Sequence, residues 1–324
     1  EIFTMYSCIQ NTWVFLFIMF FLTSGCTMRN SILIITEEDI RNFDALLEQT
    51  GEEVRFFTSF DRTELACTIV RPKIKSKGTV LFIHGIGARA HLYLPMADYL
   101  AENGYTIYMF DIRGHGFSHG VPGHMPSKDA MDKDILHFYN FVTTKENSNK
   151  PVIAIGHSLG TYVWIHTLSK HDEIKIDGLV LMSGGSVNKL PKGKTTSGSK
   201  KYLRYVNKWK AFLSLFNHNV KPIHIGFPEL PHLAQAGFVE DYGFSFFTMF
   251  RNSEKKFKEF YQTNTTPVLM ISGDEDELFP KELIEATFDI INNPNKELIL
   301  LEGKTHTSII WHAGPYIEEW MSNI

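Results

Sequence analysis

The 324-residue chain has little of what several classes of protein require. It contains only three cysteines, Cys8, Cys26 and Cys67, which are too few and too scattered for a disulfide framework or a zinc site. No apolar run reaches the roughly 18 to 20 residues of a membrane-spanning helix, which argues against a polytopic membrane protein. The net charge is only −4, so the chain as a whole lacks the basic charge of a nucleic-acid-binding protein. A hydrophobic content of 44% is typical of a folded globular protein rather than a disordered or collagen-like chain.

The longest apolar run, residues 13–22, indicates a targeting segment. Its ten residues fit the h-region of a signal peptide, which needs about 7 to 15. The small residues that follow and end in Cys26 resemble the lipobox of bacterial lipoproteins, although no Lys or Arg precedes Arg29. We therefore expect residues 1–26 to be a signal peptide or N-terminal membrane anchor with Cys26 as a candidate lipidation site, in a membrane-associated protein of the bacterial cell envelope. A gene start placed too early is an alternative, because Met5 is the first methionine.

The rest of the chain has the pattern of an α/β protein. Residues 27–53 are expected to form a linker and an N-terminal helix. From residue 54, short apolar runs alternate with helical patterns, which predicts βαβ units and a mostly parallel sheet covered by helices on both faces. The predicted core has two parts, residues 54–183 and 264–324. Its predicted strands are residues 55–58, 64–70, 79–83, 105–110, 151–155, 179–182, 267–272 and 297–301, and its predicted helices are 92–102, 128–142, 159–169 and 283–291.

Residues 184–263 interrupt this alternation with aromatic-rich, helix-like sequence. The segment is too long for a loop and is predicted to be an inserted helical cap. No Asp or Glu occurs between Asp177 and Glu229, whereas nine Lys and Arg residues do. Two compatible interpretations follow for an amphipathic helix in this segment. Its apolar face covers a substrate pocket while its lysines are solvated, or the helix lies on a membrane surface, as basic amphipathic helices often do. The apolar residues at helical spacing are Tyr202, Tyr205, Val206, Trp209, Phe212, Leu213 and Phe216.

The pattern Gly-x-Ser-x-Gly occurs twice, in different contexts. Residues 116–120 follow their strand by five residues and lead into Val-Pro-Gly, which cannot begin a helix cleanly, so Ser118 is interpreted as a loop residue. Residues 156–160 (GHSLG) lie between a buried strand and an apolar helix, which is the context of a nucleophile elbow. The glycines allow a tight turn, and the helix N-terminus favours developing negative charge. Ser158 is therefore the predicted nucleophile.

A serine nucleophile needs a histidine base and a carboxylate that orients the base. In this type of fold the chain order is serine, acid, histidine. Four carboxylates, residues 274–277 (DEDE), follow a predicted strand, and their spacing to the flanking glycine and proline favours Asp276, with Asp274 as the runner-up. His306 lies five residues past the last strand and is the predicted base. The histidines interpreted as structural, packing or surface residues are His84, His157, His166 and His312.

Two backbone N–H groups would complete such a site by binding the oxyanion of a tetrahedral intermediate, each worth about 3 kcal/mol of barrier. One donor is expected from Leu159, the residue after the predicted nucleophile. The other is expected from Ile86, in the glycine-containing turn after strand 79–83. This chemistry implies no metal ion and no organic cofactor.

These motifs occur in an order that resembles α/β-hydrolases of the monoacylglycerol lipase and lysophospholipase group, over about residues 54–320. The resemblance implies an eight-stranded sheet, a helical cap, and a serine hydrolase that cleaves carboxylic esters, often of single-chain glycerolipids. The expected partners are an amphiphilic acyl-ester substrate and a membrane surface, contacted by the N-terminal anchor and the basic cap, with no nucleic acid. The matching motifs are residues 84–87 (HGIG), 111–118 (DIRGHGFS), 156–160 (GHSLG), 273–276 (GDED) and 303–306 (GKTH).

Two positions depart from that group. Residues 88–89 are Ala-Arg where Glu-His is usual, and this difference is expected to affect the polar side of the substrate site. Thr161 stands where a second glycine is usual, and this difference is expected to affect only helix packing. A soluble ester, a lactone or a peptide is the alternative substrate. A non-catalytic binding protein on the same fold is a further alternative.

Overall fold

The computed structural model describes residues 53–146, 149–186, 203–217, 219–226, 238–250 and 253–324. The predicted signal or anchor at residues 1–26, with Cys26, lies outside the described residues, as does almost all of the predicted linker and helix at 27–53. Within the described part of the chain, no helix has both the length and the apolar character that crossing a bilayer requires.

The described residues form eleven strands, of which eight make one sheet in the order β1-β2-β4-β3-β5-β6-β10-β11. Each of these eight strands begins and ends within two residues of a predicted strand, so the predicted α/β fold class is confirmed. In chain order the strands are β1 (Glu53–Thr58), β2 (Glu64–Val70), β3 (Gly78–Ile83), β4 (Tyr105–Phe110), β5 (Val152–His157), β6 (Gly178–Met182), β7 (Leu203–Val206), β8 (Ile223–Ile225), β9 (Asp241–Tyr242), β10 (Val268–Gly273) and β11 (Lys296–Leu301).

The direction of the strands places all candidate site residues at one edge of the sheet. β2 pairs antiparallel with β1 and β4, whereas β3, β4, β5, β6, β10 and β11 run parallel to one another. The segments that follow β3, β5, β10 and β11 therefore leave the sheet at the same edge. Those segments carry the predicted Ile86, Ser158, Asp276 and His306.

Helices cover both faces of the sheet, which explains why its central strands are almost entirely apolar. Side chains alternate between faces along a strand, and in β3 Leu81 and Ile83 join one hydrophobic cluster while Val80 and Phe82 join the other. The helices of the described residues are α1 (Leu94–Glu102), α2 (Ala130–Thr143), α3 (Leu159–Leu168), α4 (Lys208–Leu213), α5 (Ser253–Thr263), α6 (Lys281–Ile290) and α7 (Gly314–Met321). α1 and α7 pack on the second face, and α2 and α3 on the first.

The segment predicted as a helical cap, residues 184–263, also contains a small sheet that the sequence did not predict. In the described residues of this inserted segment, β7, β8 and β9 form three antiparallel strands. The helical spacing predicted from Tyr202 onwards is interrupted at Asn207, whose side chain caps α4 by accepting the N–H of Lys210 at 3.0 Å. Residues before this cap pair as a strand with β8, and only residues after it are helical.

A buried arginine fixes the loop between β4 and α2. The side chain of Arg113 is 4% exposed and forms two hydrogen bonds with Asp134, at 2.9 Å and 2.7 Å. It also contacts Asp61 at 2.8 Å. Because a buried charge that loses its partner costs about 3–5 kcal/mol, these contacts hold the loop in one conformation. Arg113 of the DIRGHGFS motif therefore has a structural role beside the site.

Candidate active site

Ser158 lies in a sharp turn between β5, which ends at His157, and α3, which begins at Leu159. Its backbone has φ 50° and ψ −113°, a conformation that non-glycine residues rarely adopt. The glycines two residues before and after Ser158 make the turn possible, because a Cβ at Gly160 would lie 2.2 Å from the carbonyl oxygen of Ile83. The strand–turn–helix geometry predicted from GHSLG is therefore present, with Ser158 at the N-terminus of α3.

Thr161, which replaces the usual glycine, packs behind this elbow. Its hydroxyl donates to the carbonyl oxygen of Ser158 at 2.6 Å. Space for the threonine exists because residue 184 is glycine, where a Cβ would lie 2.5 Å from Thr161 Oγ1. The threonine therefore contacts the backbone of the elbow, whereas the Ser158 hydroxyl contacts His306.

Ser158, His306 and Asp276 form a continuous series of hydrogen bonds. His306 Nε2 lies 3.0 Å from Ser158 Oγ, and His306 Nδ1 lies 3.0 Å from Asp276 Oδ2. The other carboxylate oxygen of Asp276 accepts the N–H groups of Leu278 and Phe279, at 2.9 Å and 2.8 Å. The three side chains are buried. This is the order of contacts that a nucleophile, a base and an orienting carboxylate need.

The electrostatics of this series favour a proton on His306 when charge develops. Burial raises the pKa of Asp276, but the charge and hydrogen bond of His306 outweigh burial, so this pKa lies below its usual range. Burial lowers the pKa of His306, but the charge and hydrogen bond of Asp276 outweigh it and hold the pKa above the usual 6.5. A base of this kind is strong enough to accept the serine proton.

The two alternative residues that the sequence offered have other partners. Asp274 accepts the N–H of Gly303 at 2.7 Å and so holds the turn that leads to His306. The hydroxyl of Ser118 accepts the N–H of Ala66 at 2.8 Å and donates to the carbonyl oxygen of Asp111. Both side chains therefore stabilise loops, and neither joins the hydrogen-bond series.

Histidines interpreted as structural are held by backbone groups and neighbouring side chains. Both ring nitrogens of His84 are hydrogen-bonded to backbone groups. The buried ring of His166 lies 3.4 Å from Asp132, and His312 contacts the carbonyl oxygen of Ser308 at 2.9 Å. Across the described residues, no cluster of His, Cys, Asp and Glu has the arrangement that a metal ion would need.

The turn after β3, residues 84–87, packs directly against the elbow; we call it the oxyanion turn. A Cβ at Gly85 would lie 2.9 Å from His157 Nδ1 and 3.3 Å from Ser158 Cβ, so glycine allows this close approach without displacing its neighbours. The N–H groups on either side of Ile86 are occupied, since Gly85 donates to Tyr93 at 3.0 Å and Gly87 donates to Tyr242 at 2.8 Å. Among the described residues the N–H of Ile86 has no protein acceptor, and the N–H of Leu159 begins α3, where helical partners are lacking.

Tyr93 and Tyr242 are residues that sequence reasoning missed. Tyr242 lies 155 positions from the glycine that it holds, so no local spacing connects the two. Tyr93 is only eight positions from Gly85, but its hydroxyl also reaches His157 Nδ1 at 2.8 Å, which no pattern in the sequence indicates. A buried tyrosine needs a partner for its hydroxyl, and that requirement is the one general signal that could have pointed to them.

The order of the strands, the turn at Ser158 and the inserted segment together define the α/β-hydrolase fold. Solved structures with this fold include a soluble variant of monoglyceride lipase from Saccharomyces cerevisiae in complex with a substrate analogue (TM-score 0.65, 19% identity, covering 85% of this chain and 96% of that chain). Another is a monoacylglycerol lipase from Paleococcus ferrophilus (TM-score 0.60, 21% identity, covering 80% of this chain and 99% of that chain).

Sequence comparisons point to the same class. Residues 74–225 match the family described as serine aminopeptidase, S33. The chain is 32% identical over 155 residues to an abhydrolase domain-containing protein of Dictyostelium discoideum, and 33% identical over 112 residues to the lysophosphatidylserine lipase ABHD12 of Macaca fascicularis. These matches cover 43% and 33% of this chain but only 16% and 27% of the two relatives. The protein thus has the α/β-hydrolase fold, and its resemblance to the monoacylglycerol lipase and lysophospholipase group is confirmed.

Proposed function

We propose that the protein is a serine esterase that hydrolyses single-chain glycerolipids through an acyl-enzyme. The observation that carries the proposal is the series of hydrogen bonds between three side chains. Ser158 Oγ lies 3.0 Å from His306 Nε2, and His306 Nδ1 lies 3.0 Å from Asp276 Oδ2. Its position beside the oxyanion turn supports acyl transfer, because an oxyanion would form next to the N–H groups of Ile86 and Leu159.

In this mechanism His306 takes the proton of Ser158 as Oγ attacks the ester carbonyl. The tetrahedral oxyanion accepts hydrogen bonds from Ile86 and Leu159, while Asp276 stabilises the protonated imidazole. Collapse of the intermediate breaks the ester bond, and His306 gives its proton to the departing alcohol. A water molecule then attacks the acyl-enzyme with His306 again as base, which releases the fatty acid and restores Ser158.

Apolar surroundings of the site support an acyl chain as part of the substrate. The ring of Phe279 lies 5.6 Å from the ring of His306, and Tyr162 continues this aromatic surface at 6.2 Å. Phe250 of the inserted segment lies 6.3 Å beyond Tyr162. The names of the relatives, a lysophosphatidylserine lipase and monoacylglycerol lipases, support the same substrate class.

A fluorophosphonate probe and a substrate panel test this proposal. We expect the probe to modify Ser158, and hydrolysis of monoacylglycerols and lysophospholipids to become faster with acyl length. The panel includes a short soluble ester, a lactone and an aminoacyl anilide, because the matched family carries the name serine aminopeptidase. If the probe modifies Ser158 and the anilide is the only substrate of the panel that is cleaved, the result would support a peptidase instead. A folded protein that resists the probe would be a binding protein on this fold.

We further propose that α4 and the residues after it contact an anionic lipid surface. Trp209, Phe212 and Phe216 are 77%, 50% and 76% exposed, and neighbouring rings among them touch edge to face. Exposed aromatic groups of this size mark interaction surfaces. Lys208 and Lys210 are exposed beside them and complement anionic head groups. The predicted anchor at residues 1–26 and lipidation of Cys26 would act at the same surface.

Replacing Trp209 and Phe216 together by serine is expected to raise KM for a lipid substrate in anionic vesicles by about tenfold or more. Each ring would lose apolar contact worth of the order of 1 kcal/mol. Kinetics on a soluble ester should not change, since neither ring touches the site. The matched control is Phe56→Ser, which removes a ring that is 48% exposed on β1. Equal effects of both changes, or none on vesicles, would contradict lipid contact by α4.

A further inference from the structure

The inserted segment holds Gly87 of the oxyanion turn through both of its backbone groups. The N–H of Gly87 donates to the hydroxyl of Tyr242 at 2.8 Å, and its carbonyl oxygen accepts the N–H of Val239 at 3.0 Å. Gly87 has φ 75°, a left-handed conformation that glycine adopts readily. The Gly87 N–H belongs to the peptide that joins Ile86 to Gly87, so this contact fixes the backbone on the C-terminal side of Ile86. A displacement of Gly87 therefore shifts Ile86 and, with it, the N–H that Ile86 carries.

Tyr242 is itself held in one orientation by His115. The Tyr242 hydroxyl lies 2.9 Å from His115 Nε2, and His115 Nδ1 lies 3.1 Å from the carbonyl oxygen of Arg113. A carbonyl only accepts, so Nδ1 carries the proton and Nε2 accepts from the tyrosine. The tyrosine oxygen is then available to accept from Gly87. Burial lowers the pKa of His115 to about 4, which keeps the ring neutral and this order of donors intact near pH 7.

A similar pair holds the other side of the same turn. The N–H of Gly85 donates to Tyr93, whose hydroxyl lies 2.8 Å from His157 Nδ1. His157 Nε2 in turn lies 3.1 Å from the carbonyl oxygen of His306. Burial lowers the pKa of His157 to about 3. Tyr93 and His157 belong to the core, so the two pairs connect the turn to two different parts of the protein.

We propose that Tyr242 is a positioning residue through which the inserted segment sets the direction of the Ile86 N–H. Tyr242 ends β9, which pairs with β8, and β8 pairs with β7 immediately before α4. A displacement of this small sheet therefore moves the Tyr242 hydroxyl and weakens binding of the oxyanion. The inference rests on the proposed esterase function. It implies that the rate of acyl transfer depends on what the inserted segment contacts.

The variant Tyr242→Phe tests the coupling, because it removes one oxygen and keeps the ring against Phe246, whose centroid is 4.7 Å away. Loss of a whole oxyanion donor costs about 10²–10³ in kcat, so a misdirected one is expected to cost about 10-fold or more. KM for a soluble ester should change by less than about twofold, since the ground-state carbonyl gains little from these donors. The affinity of a trifluoromethyl ketone, which adds to Ser158 and forms an oxyanion, should fall by the same factor as kcat.

The matched control is Tyr139→Phe on α2. Its hydroxyl also accepts a backbone N–H and contacts a carbonyl, both of Lys175, at 3.0 Å and 3.1 Å. We expect this change to affect only the melting temperature. If folded Tyr242→Phe and folded Tyr139→Phe have the same kcat and the same affinity for the ketone, the positioning role of Tyr242 is overturned. If the wild-type protein has no esterase activity, the proposed function itself is overturned. As a second route, His115→Phe removes the acceptor of Tyr242 and should lower kcat in the same direction.

Discussion

Replacing Ser158 with alanine is expected to lower kcat/KM for a short p-nitrophenyl ester by at least about 10⁴-fold. The substitution removes the only atom of this residue that can attack a carbonyl, and His306 is left without its 3.0 Å partner. The protein should remain folded, since alanine keeps the Cβ that packs against Gly85. Steady-state kinetics and circular dichroism measure the two quantities, and covalent labelling by a fluorophosphonate should disappear in parallel.

Ser118→Ala is the matched control, because it changes the other Gly-x-Ser-x-Gly copy. The Ser118 hydroxyl holds the N–H of Ala66 and the carbonyl of Asp111, so its loss should cost about 1–3 kcal/mol of stability. Turnover by the folded fraction should stay close to that of the wild type. Near-normal activity in Ser158→Ala, or loss of turnover in folded Ser118→Ala, would contradict the assignment of the nucleophile.

Asp276→Asn is expected to lower kcat by about 10⁴-fold while leaving the backbone around the site in place. The amide cannot stabilise the positive charge that His306 gains during attack, and its NH₂ group can stabilise the wrong tautomer of the imidazole. Asp274→Asn is the control, since its carbonyl oxygen can still accept the N–H of Gly303. That control should stay within a few-fold of wild-type activity, as is usual for a substitution at the surface.

The pH profile distinguishes a catalytic carboxylate from a merely structural one. His306 accepts a proton only when neutral, so activity falls as pH drops through its pKa, which Asp276 holds above 6.5. Asp276→Asn removes the charge but leaves the burial, and burial lowers the pKa. The acid-side inflection of kcat/KM should therefore move to lower pH in this variant. An inflection that stays in place would show that another group controls the profile.

The positions of the candidate site residues could be predicted because each follows a strand that is visible in the sequence. Residues 151–155 (PVIAI) form a short apolar run that is typical of a buried strand, and the glycines on either side of Ser158 indicate a tight turn at the strand end. Asp276 and His306 follow β10 and β11 in the same way, so parallel pairing brings them to the same edge. Their catalytic roles stay predictions that the variants above test.

The contacts that hold the oxyanion turn could not be predicted in the same way. The hydroxyl of Tyr242 reaches Gly87 only because a three-stranded sheet forms in the inserted segment, and β9 is two residues long. Residues 203–206 (LRYV) fit the helical spacing around them as well as they fit a strand. The choice between these structures depends on pairing with β8, which is about twenty residues away and leaves no periodic signal.

The contact between Thr161 and Gly184 restricts how this part of the chain can change in evolution or in a designed library. A Cβ at residue 184 would lie 2.5 Å from Thr161 Oγ1 and 2.8 Å from the carbonyl oxygen of Ser158. Both the side chain of Thr161 and the backbone of the elbow therefore confine residue 184 to glycine. A lineage in which residue 161 becomes smaller removes only the first of these contacts, so a larger residue at 184 would still push the elbow out of shape.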